Sequence, residues 1–292
     1  MKAYTLGVYE KAMPGELTWR ERLEAAKDAG YDFLEISIDE TNARLARLDW
    51  TKEERLELIN TMYDTGVPIR TMCLSGHRKY PIGSSDEATC AMGMEIMEKA
   101  ILLAADLGIR LIQLAGYDVY YEESTSETVE RFGENLKKCE QMAAAAGVLL
   151  GFETMETEFM NTVGKAMVFV NRLNSPYLGI YPDMGNITNA AAAYGTDVLE
   201  DIRKGRGHLD AVHLKETVPG VFREVAFGTG HVDFPAVIEE AWRAGVRRYV
   251  TEFWYTGNPR WRDEMRQAAR MMREILNTQE RKMEEDTVCI YN

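Results

Sequence analysis

Residues 93–117 read GMEIMEKAILLAADLGIRLIQLAGY. The first part returns an apolar residue every three or four positions, the period of a helix with one buried face. Gly108 stops that run, and LIQLAGY (111–117) follows as a short apolar stretch of the kind that forms a buried strand. The same helix–Gly–strand unit recurs as AGYDFLEI around Gly30, TGVPIRTM around Gly66 and AGVRRYVT around Gly245, with Gly147 placed likewise. Working outward gives eight strand-like runs: 5–10, 32–38, 68–75, 111–117, 149–155, 178–184, 209–215 and 248–254. Amphipathic stretches such as 128–147 separate them. Repeated units of this kind with right-handed crossovers build a parallel sheet, and eight of them predict closure into a (β/α)8 TIM barrel. An open doubly wound sheet is the competing architecture, but it would carry a glycine-rich phosphate loop after its first strand. That position reads GVYEKAMPGEL (7–17), with neither GxGxxG nor GxxxxGK[ST].

The chain has 292 residues, close to the roughly 250 of a single such barrel. No Pro/Gly/Ser-rich linker interrupts it, so we read one domain over 1–276 and a polar C-terminal tail over 277–292. Its 34 Lys plus Arg against 47 Asp plus Glu give a net charge of -13, a field that repels polyanions and argues against nucleic acid as a partner. No run approaches the ~20 apolar residues of a membrane span, and MKAYTLGVYEKAM (1–13) opens as a strand instead of a signal peptide, which predicts a cytoplasmic protein without a membrane partner. Cys73, Cys90, Cys139 and Cys289 show no CxxC pairing and read as free thiols.

Four of the later runs carry a metal-ligand type near their ends: Glu153 in LLGFETM, Asp183 in LGIYPDM, His213 in LDAVHLK and Glu252 in RYVTEFW. They recur at intervals of 30, 30 and 39 residues, the spacing of strand–helix units. Each interrupts an apolar stretch, and charges buried without a partner cost several kcal/mol or more. Alternation along a strand puts His213 on one face with Ala211 and Lys215, Glu252 with Val250 and Trp254, Glu153 with Gly151 and Met155, and Asp183 with Tyr181 and Gly185. If those faces line the barrel, the four groups converge at its C-terminal mouth. Three carboxylates and one imidazole form an oxygen-rich set that suits Mn²⁺ or Mg²⁺ first and admits Zn²⁺ or Co²⁺. Such an ion could chelate a hydroxyketone, with two carboxylates removing and returning a proton on opposite faces of one carbon.

The chain resembles the metal-dependent sugar epimerases of the xylose isomerase-like barrel superfamily. The strings that carry the likeness include GVYEKAMPGELTWRERL (7–23), EISIDETNARLARLDW (35–50), MCLSGHRKYPIGS (72–84), IQLAGYDVYY (112–121), YPDMGN (181–186), AVHLKET (211–217) and FGTGHVDF (227–234). Within that group the likeness is to the 3-epimerases that interconvert L-ribulose 5-phosphate and L-xylulose 5-phosphate. It implies metal ligands at Glu153, Asp183, His213 and Glu252, an acid/base pair at Glu153 and Glu252, a sugar phosphate as substrate and a homodimer. Asn186 stands where epimerases of unphosphorylated ketoses carry a histidine.

For the phosphate, Lys215 is the leading candidate because it shares the inward face of His213, with His77 and Arg78 of the basic loop SGHRKYPIGS next and backbone N–H groups around Gly228–Gly230 as helpers. Tyr9 and Trp254 are candidate walls of a sugar pocket. Glu156 falls outside the ligand set by parity, and His208 and His231 have no second ligand beside them. Related sugar isomerases, an unphosphorylated-ketose 3-epimerase, an inosose dehydratase and a noncatalytic sugar-binding barrel share enough of this pattern to stand as alternatives.

Overall fold

Among the described residues eight strands form: β1 Thr5–Tyr9, β2 Phe33–Ile38, β3 Ile69–Leu74, β4 Leu111–Ala115, β5 Leu149–Glu153, β6 Leu178–Ile180, β7 Val212–Leu214 and β8 Arg248–Thr251. They lie inside the eight runs named above, shorter at the ends. This computed structural model describes the backbone of residues 2–291 and the side chains of residues 2–283. Every ladder is parallel, in the order β6-β5-β4-β3-β2-β1-β8-β7. The ring closes between β6 and β7 through isolated bridges, Ile180 to Leu209 and Asp183 to His213, not through a regular ladder. Closure decides for the barrel over the open sheet.

Between the strands run α1 Trp19–Asp28, α2 Asn42–Leu45, α3 Lys52–Thr65, α4 Glu87–Leu107, α5 Ser126–Ala146 and α6 Val163–Leu173. They continue as α7 Met184–Tyr194, α8 Val198–Lys204, α9 Phe234–Arg243 and α10 Trp261–Tyr291. The helix of the opening stretch, α4, begins at Asp86, whose carboxylate accepts the Thr89 N–H, and stops at Gly108 with φ 75°. A left-handed residue there costs glycine nothing, whereas a side chain would be strained.

Two layers of apolar side chains follow from strand alternation. Leu34, Ile36, Ile112, Leu114, Leu150 and Phe152 point outward and meet helix residues such as Met97, Ile101 and Ala104, all fully or almost fully buried. Tyr9, Phe33, Cys73, Leu111, Tyr181, Ala211 and Val250 fill the barrel interior. Gly7 makes that interior possible, since a Cβ there would lie 2.4 Å from the Phe33 ring. The inward set contains Tyr181, Ala211 and Val250, so the faces singled out in the sequence are the ones that line the barrel.

The expected tail boundary at 276/277 is absent. Helix α10 runs through it: Asn277 Oδ1 accepts the Tyr4 hydroxyl at 2.6 Å, and Glu280 Oε1 accepts the Ala3 N–H at 2.7 Å. A polar run looks like a tail in sequence, yet a helix needs only one apolar stripe to dock, and Met272 and Leu276 begin it. Asn292 and the side chains of residues 284–291, Cys289 included, lie outside the described residues. Cys73, Cys90 and Cys139 are free thiols. No helix among the described residues is long and apolar enough to cross a membrane.

Candidate metal centre and substrate pocket

The three acidic candidate ligands stand at or just past the ends of their strands, and the histidine within one. Glu153 is the last residue of β5, Asp183 follows β6 and caps α7, His213 is central in β7, and Glu252 comes directly after β8. Asp183 Oδ1 accepts the Asn186 N–H at 2.6 Å, as an N-cap aspartate does, which turns Oδ2 toward the barrel axis. The Glu252 N–H donates to Leu214 O at 2.9 Å and the His213 N–H to Pro182 O at 2.9 Å, so backbone pairing fixes both side chains. One ligand atom from each of the four residues lies within 4.8 Å of all the others, and all four residues are buried. His213 Nδ1 is 3.3 Å from Glu252 Oε2 and 3.9 Å from Glu153 Oε1. Ligands each about 2.0–2.2 Å from one cation stand about 3–4 Å apart, so the cluster is compact enough to share an ion.

Two observations test the fit. Asp183 Oδ2 and Glu252 Oε2 are buried oxygens that accept no hydrogen bond, and Lys215 Nζ, 3.2 and 3.4 Å away, brings one positive charge to a place where three carboxylates meet, so a cation would relieve the remainder. The electrostatics agree: burial, with Glu252 adding to it, pushes Glu153 up to about 8, and burial lifts Asp183 to about 7 against the opposing pull of Lys215. Burial would raise Glu252 too, but Lys215 and His213 outweigh it and hold this carboxyl well below the usual range. Three carboxylates crowded together cannot all be comfortably ionised without added positive charge.

A residue that the sequence reading missed organises the histidine. Glu35, in the middle of β2 and fully buried, accepts His213 Nε2–H at 2.5 Å and the Tyr181 hydroxyl at 2.9 Å. That bond places the proton on Nε2 and leaves Nδ1 facing the carboxylates, the arrangement of a metal-ligating imidazole. The available signal was a lone glutamate on the inward face of β2, in line with Phe33 and Ser37. Gln113 Nε2 stands 3.1 Å from the same Nδ1.

Above the cluster opens a pocket lined by Tyr9, Lys11, Arg78, Asn186, Arg223 and Trp254 among others. Tyr9 is held by Ser37 Oγ at 2.9 Å and meets Trp254 edge to face. Asn186 donates to Thr154 O at 2.7 Å, and its buried Oδ1 has no donor. Arg78 donates to the Tyr117 hydroxyl at 3.0 Å and lies over the Tyr120 ring. Arg223, from the loop after β7, was not singled out by sequence, nor was Lys11. Arg78 and Arg223 flank Glu156 at 3.8 and 3.7 Å, and Lys11 pairs with Asp39 at 2.6 Å.

Three expectations part from this geometry. His77 faces away from the pocket: it is buried, its Nε2 hydrogen-bonds Gly93 O at 3.0 Å, and burial lowers it to about 4, so it is neutral and offers phosphate no charge. The N–H groups near Gly228–Gly230 are also turned elsewhere, because the Glu216 carboxylate accepts those of Thr217, Gly228 and Val232 to brace the loop. Lys215 lines the pocket, yet its Nζ lies 3.2 Å from Asp183 Oδ2 and 3.4 Å from Glu252 Oε2, beside the ligand oxygens. Burial opposes its charge, but Asp183 and Glu252 prevail and raise it further. As expected, Glu156 stays outside the four-residue cluster, and His231 only meets Thr217 Oγ1.

A closed eight-stranded parallel barrel with a buried Glu–Asp–His–Glu cluster at its C-terminal mouth defines a class, and the comparisons place the chain within it. It belongs to the xylose isomerase-like TIM barrel family, whose model matches residues 23–275. Among its relatives, the L-ribulose-5-phosphate 3-epimerase UlaE of Shigella flexneri is 49% identical over 254 residues, which cover 87% of this chain and 88% of that protein. The protein of the same name from Escherichia coli O157:H7 is 48% identical over the same shares. Solved structures share the fold at low identity. An L-ribulose 3-epimerase has a TM-score of 0.75 at 21% identity over 96% of this chain and 97% of its own. A D-psicose 3-epimerase solved in the presence of D-fructose has 0.77 at 15% over 93% and 99%.

Proposed function

We propose that this protein is a carbohydrate epimerase that interconverts L-ribulose 5-phosphate and L-xylulose 5-phosphate by inverting C3. The observation that carries the reading is the convergence of Glu153 and Glu252 on one pocket, together with Asp183 and His213. The relatives named L-ribulose-5-phosphate 3-epimerase support this substrate, and the pocket suits it: Lys11, Arg78 and Arg223 offer positive charge to a phosphate in a protein whose net charge is -13.

Glu153, Asp183, His213 and Glu252 would hold a divalent cation, Mn²⁺ or Mg²⁺ by the hardness of the oxygen donors. When bound, such an ion polarises the oxygens of a hydroxyketone and acidifies the adjacent C–H. The chain's own residues do the rest. Glu153 ends β5 and Glu252 follows β8, so the two carboxylates reach the pocket from separate strands, with β6 and β7 between them around the ring. One takes the C3 proton to leave an enediolate and the other delivers a proton to the opposite face, which inverts the centre. Tyr9 and Trp254 cover the sugar and keep water from the intermediate.

The test is NMR of L-ribulose 5-phosphate in D₂O with the protein and Mn²⁺. Appearance of the L-xylulose epimer with deuterium at C3 is expected. An aldose labelled at C2, with deuterium at C1 of the recovered ketose, would mean an isomerase instead, and binding without exchange would mean a noncatalytic sugar-binding barrel.

A further inference from the structure

Lys215 sits where a phosphate contact has no reason to be. Its side chain is buried, and its ammonium stands 3.2 Å from Asp183 Oδ2 and 3.4 Å from Glu252 Oε2, two oxygens that otherwise lack donors. The remaining pocket cations keep different company: Lys11 pairs with Asp39, while Arg78 and Arg223 share Glu156. Of the pocket cations, Lys215 is the one paired with the carboxylates of the cluster, while Arg223 shares only the Trp254 ring with it. Their ion pairs separate them as well: Lys215 answers Asp183 and Glu252 directly, whereas Lys11, Arg78 and Arg223 answer Asp39 and Glu156.

We propose that Lys215 is a catalytic residue of the reacting end and not part of the phosphate site. Its ammonium donates a hydrogen bond to the substrate oxygen on which negative charge develops. As C3 loses its proton to one glutamate, the electron pair moves into the C2–C3 bond and the carbonyl π pair moves onto that oxygen. Lys215 stabilises the charge there without giving up its own proton, and reprotonation at C3 reverses the shift, so nothing is consumed. A charge fixed by Asp183 and Glu252 needs no reorganisation when the oxyanion forms. This inference rests on the epimerase reading above.

The experiment compares Lys215→Met and Lys215→Arg with the wild type in two measurements. In the first, kcat and KM are measured for L-ribulose 5-phosphate and for unphosphorylated L-ribulose. Lys215→Met is expected to lower kcat about 100-fold, the usual effect of losing one oxyanion donor, by a similar factor for both sugars and with KM little changed. Lys215→Arg keeps the charge and should recover part of kcat. The second measurement is Mn²⁺ binding to metal-free protein, followed by the electron paramagnetic resonance signal of free Mn²⁺. Removing a neighbouring positive charge should tighten binding about tenfold in Lys215→Met, and this also reports that the variant is folded. A rise in KM confined to the phosphorylated sugar with kcat intact would return Lys215 to the phosphate site and overturn the proposal, as would weaker Mn²⁺ binding. An active wild type with an equally active Lys215→Met protein sinks this inference alone. A wild type that leaves C3 unlabelled sinks the epimerase reading, and this inference with it.

Discussion

The two halves of the pocket are built differently. On the side of β5 to β8, Glu153, Asp183, His213 and Glu252 are fixed by strand hydrogen bonds, a helix cap and Glu35, and they are buried. The other pocket cations stand on turns and loops: Lys11 and Arg78 project from single 3-10 turns after β1 and β3, and Arg223 comes from the loop after β7, its side chain 45% exposed. Rigid placement suits chemistry, where a displacement of an ångström is costly, and the loops suit a phosphate, which accepts donors from many directions. The cationic side is not loosely held throughout. Beneath Lys11, the buried Glu10 carboxylate gathers Arg44 and Arg47 and anchors the turn to β2 through the Ser37 N–H at 2.9 Å.

The largest effects should come from the acidic half. Chelation should abolish turnover and Mn²⁺ should restore it; full activity in excess chelator, with metal absent by elemental analysis, would dissolve the distinction between the halves. Glu153→Gln and Glu252→Gln should each lower epimerisation by roughly 10³-fold or more, because each turnover needs both proton transfers. With metal content matched, each variant should still exchange the C3 proton of one epimer only, and the two should prefer opposite epimers. A metal-replete variant with near wild-type turnover would remove that glutamate from the mechanism.

A smaller loss is expected behind the ligands. Glu35→Gln should weaken Mn²⁺ binding about 10- to 100-fold, as changes to the partner of a ligating histidine do, with the fold retained. Isothermal titration of metal-free protein reads this directly; unchanged affinity would mean that backbone pairing alone orients His213.

On the cationic half, Arg78→Met or Arg223→Met should raise KM for the phosphorylated ketose by ~10-fold or more, the worth of one charge-assisted hydrogen bond, while kcat stays near wild type. A fall in kcat with KM unchanged would mean that this half takes part in the chemistry.

The smallest expected effect tests a residue that belongs to neither half. His77 is held neutral by burial at about 4, below its ordinary 6.5, so its contribution to stability is complete above the unfolded value and is lost as pH falls through the folded one. Between about pH 6.5 and 5 the wild type should lose about 2 kcal/mol through this group. In His77→Gln, which keeps a donor for Gly93 O, that slope should be absent from thermal melts. Equal slopes would show that His77 is solvated.

The barrel was legible in the sequence, and so were the four residues that cluster at its mouth. Helix period, the αL glycines and strand alternation are set by neighbours within a few residues, so parity could group Glu153, Asp183, His213 and Glu252 with their face-mates, and the packed interior showed that those faces point inward. Tertiary structure decided what meets those faces across the barrel. Glu35 lies 178 residues from His213, and no local pattern joins them. Parity likewise put Lys215 on the face of His213 but could not say whether its long chain turned to phosphate or to Asp183. His77, in a loop that reads as basic and exposed, was buried by the packing of α4, and residues past 276 docked because Tyr4 and Ala3 waited for them. Backbone geometry is a local property of the chain, whereas the partner of a long or buried polar side chain is chosen only once the sheet has closed and brought distant strands within hydrogen-bond reach.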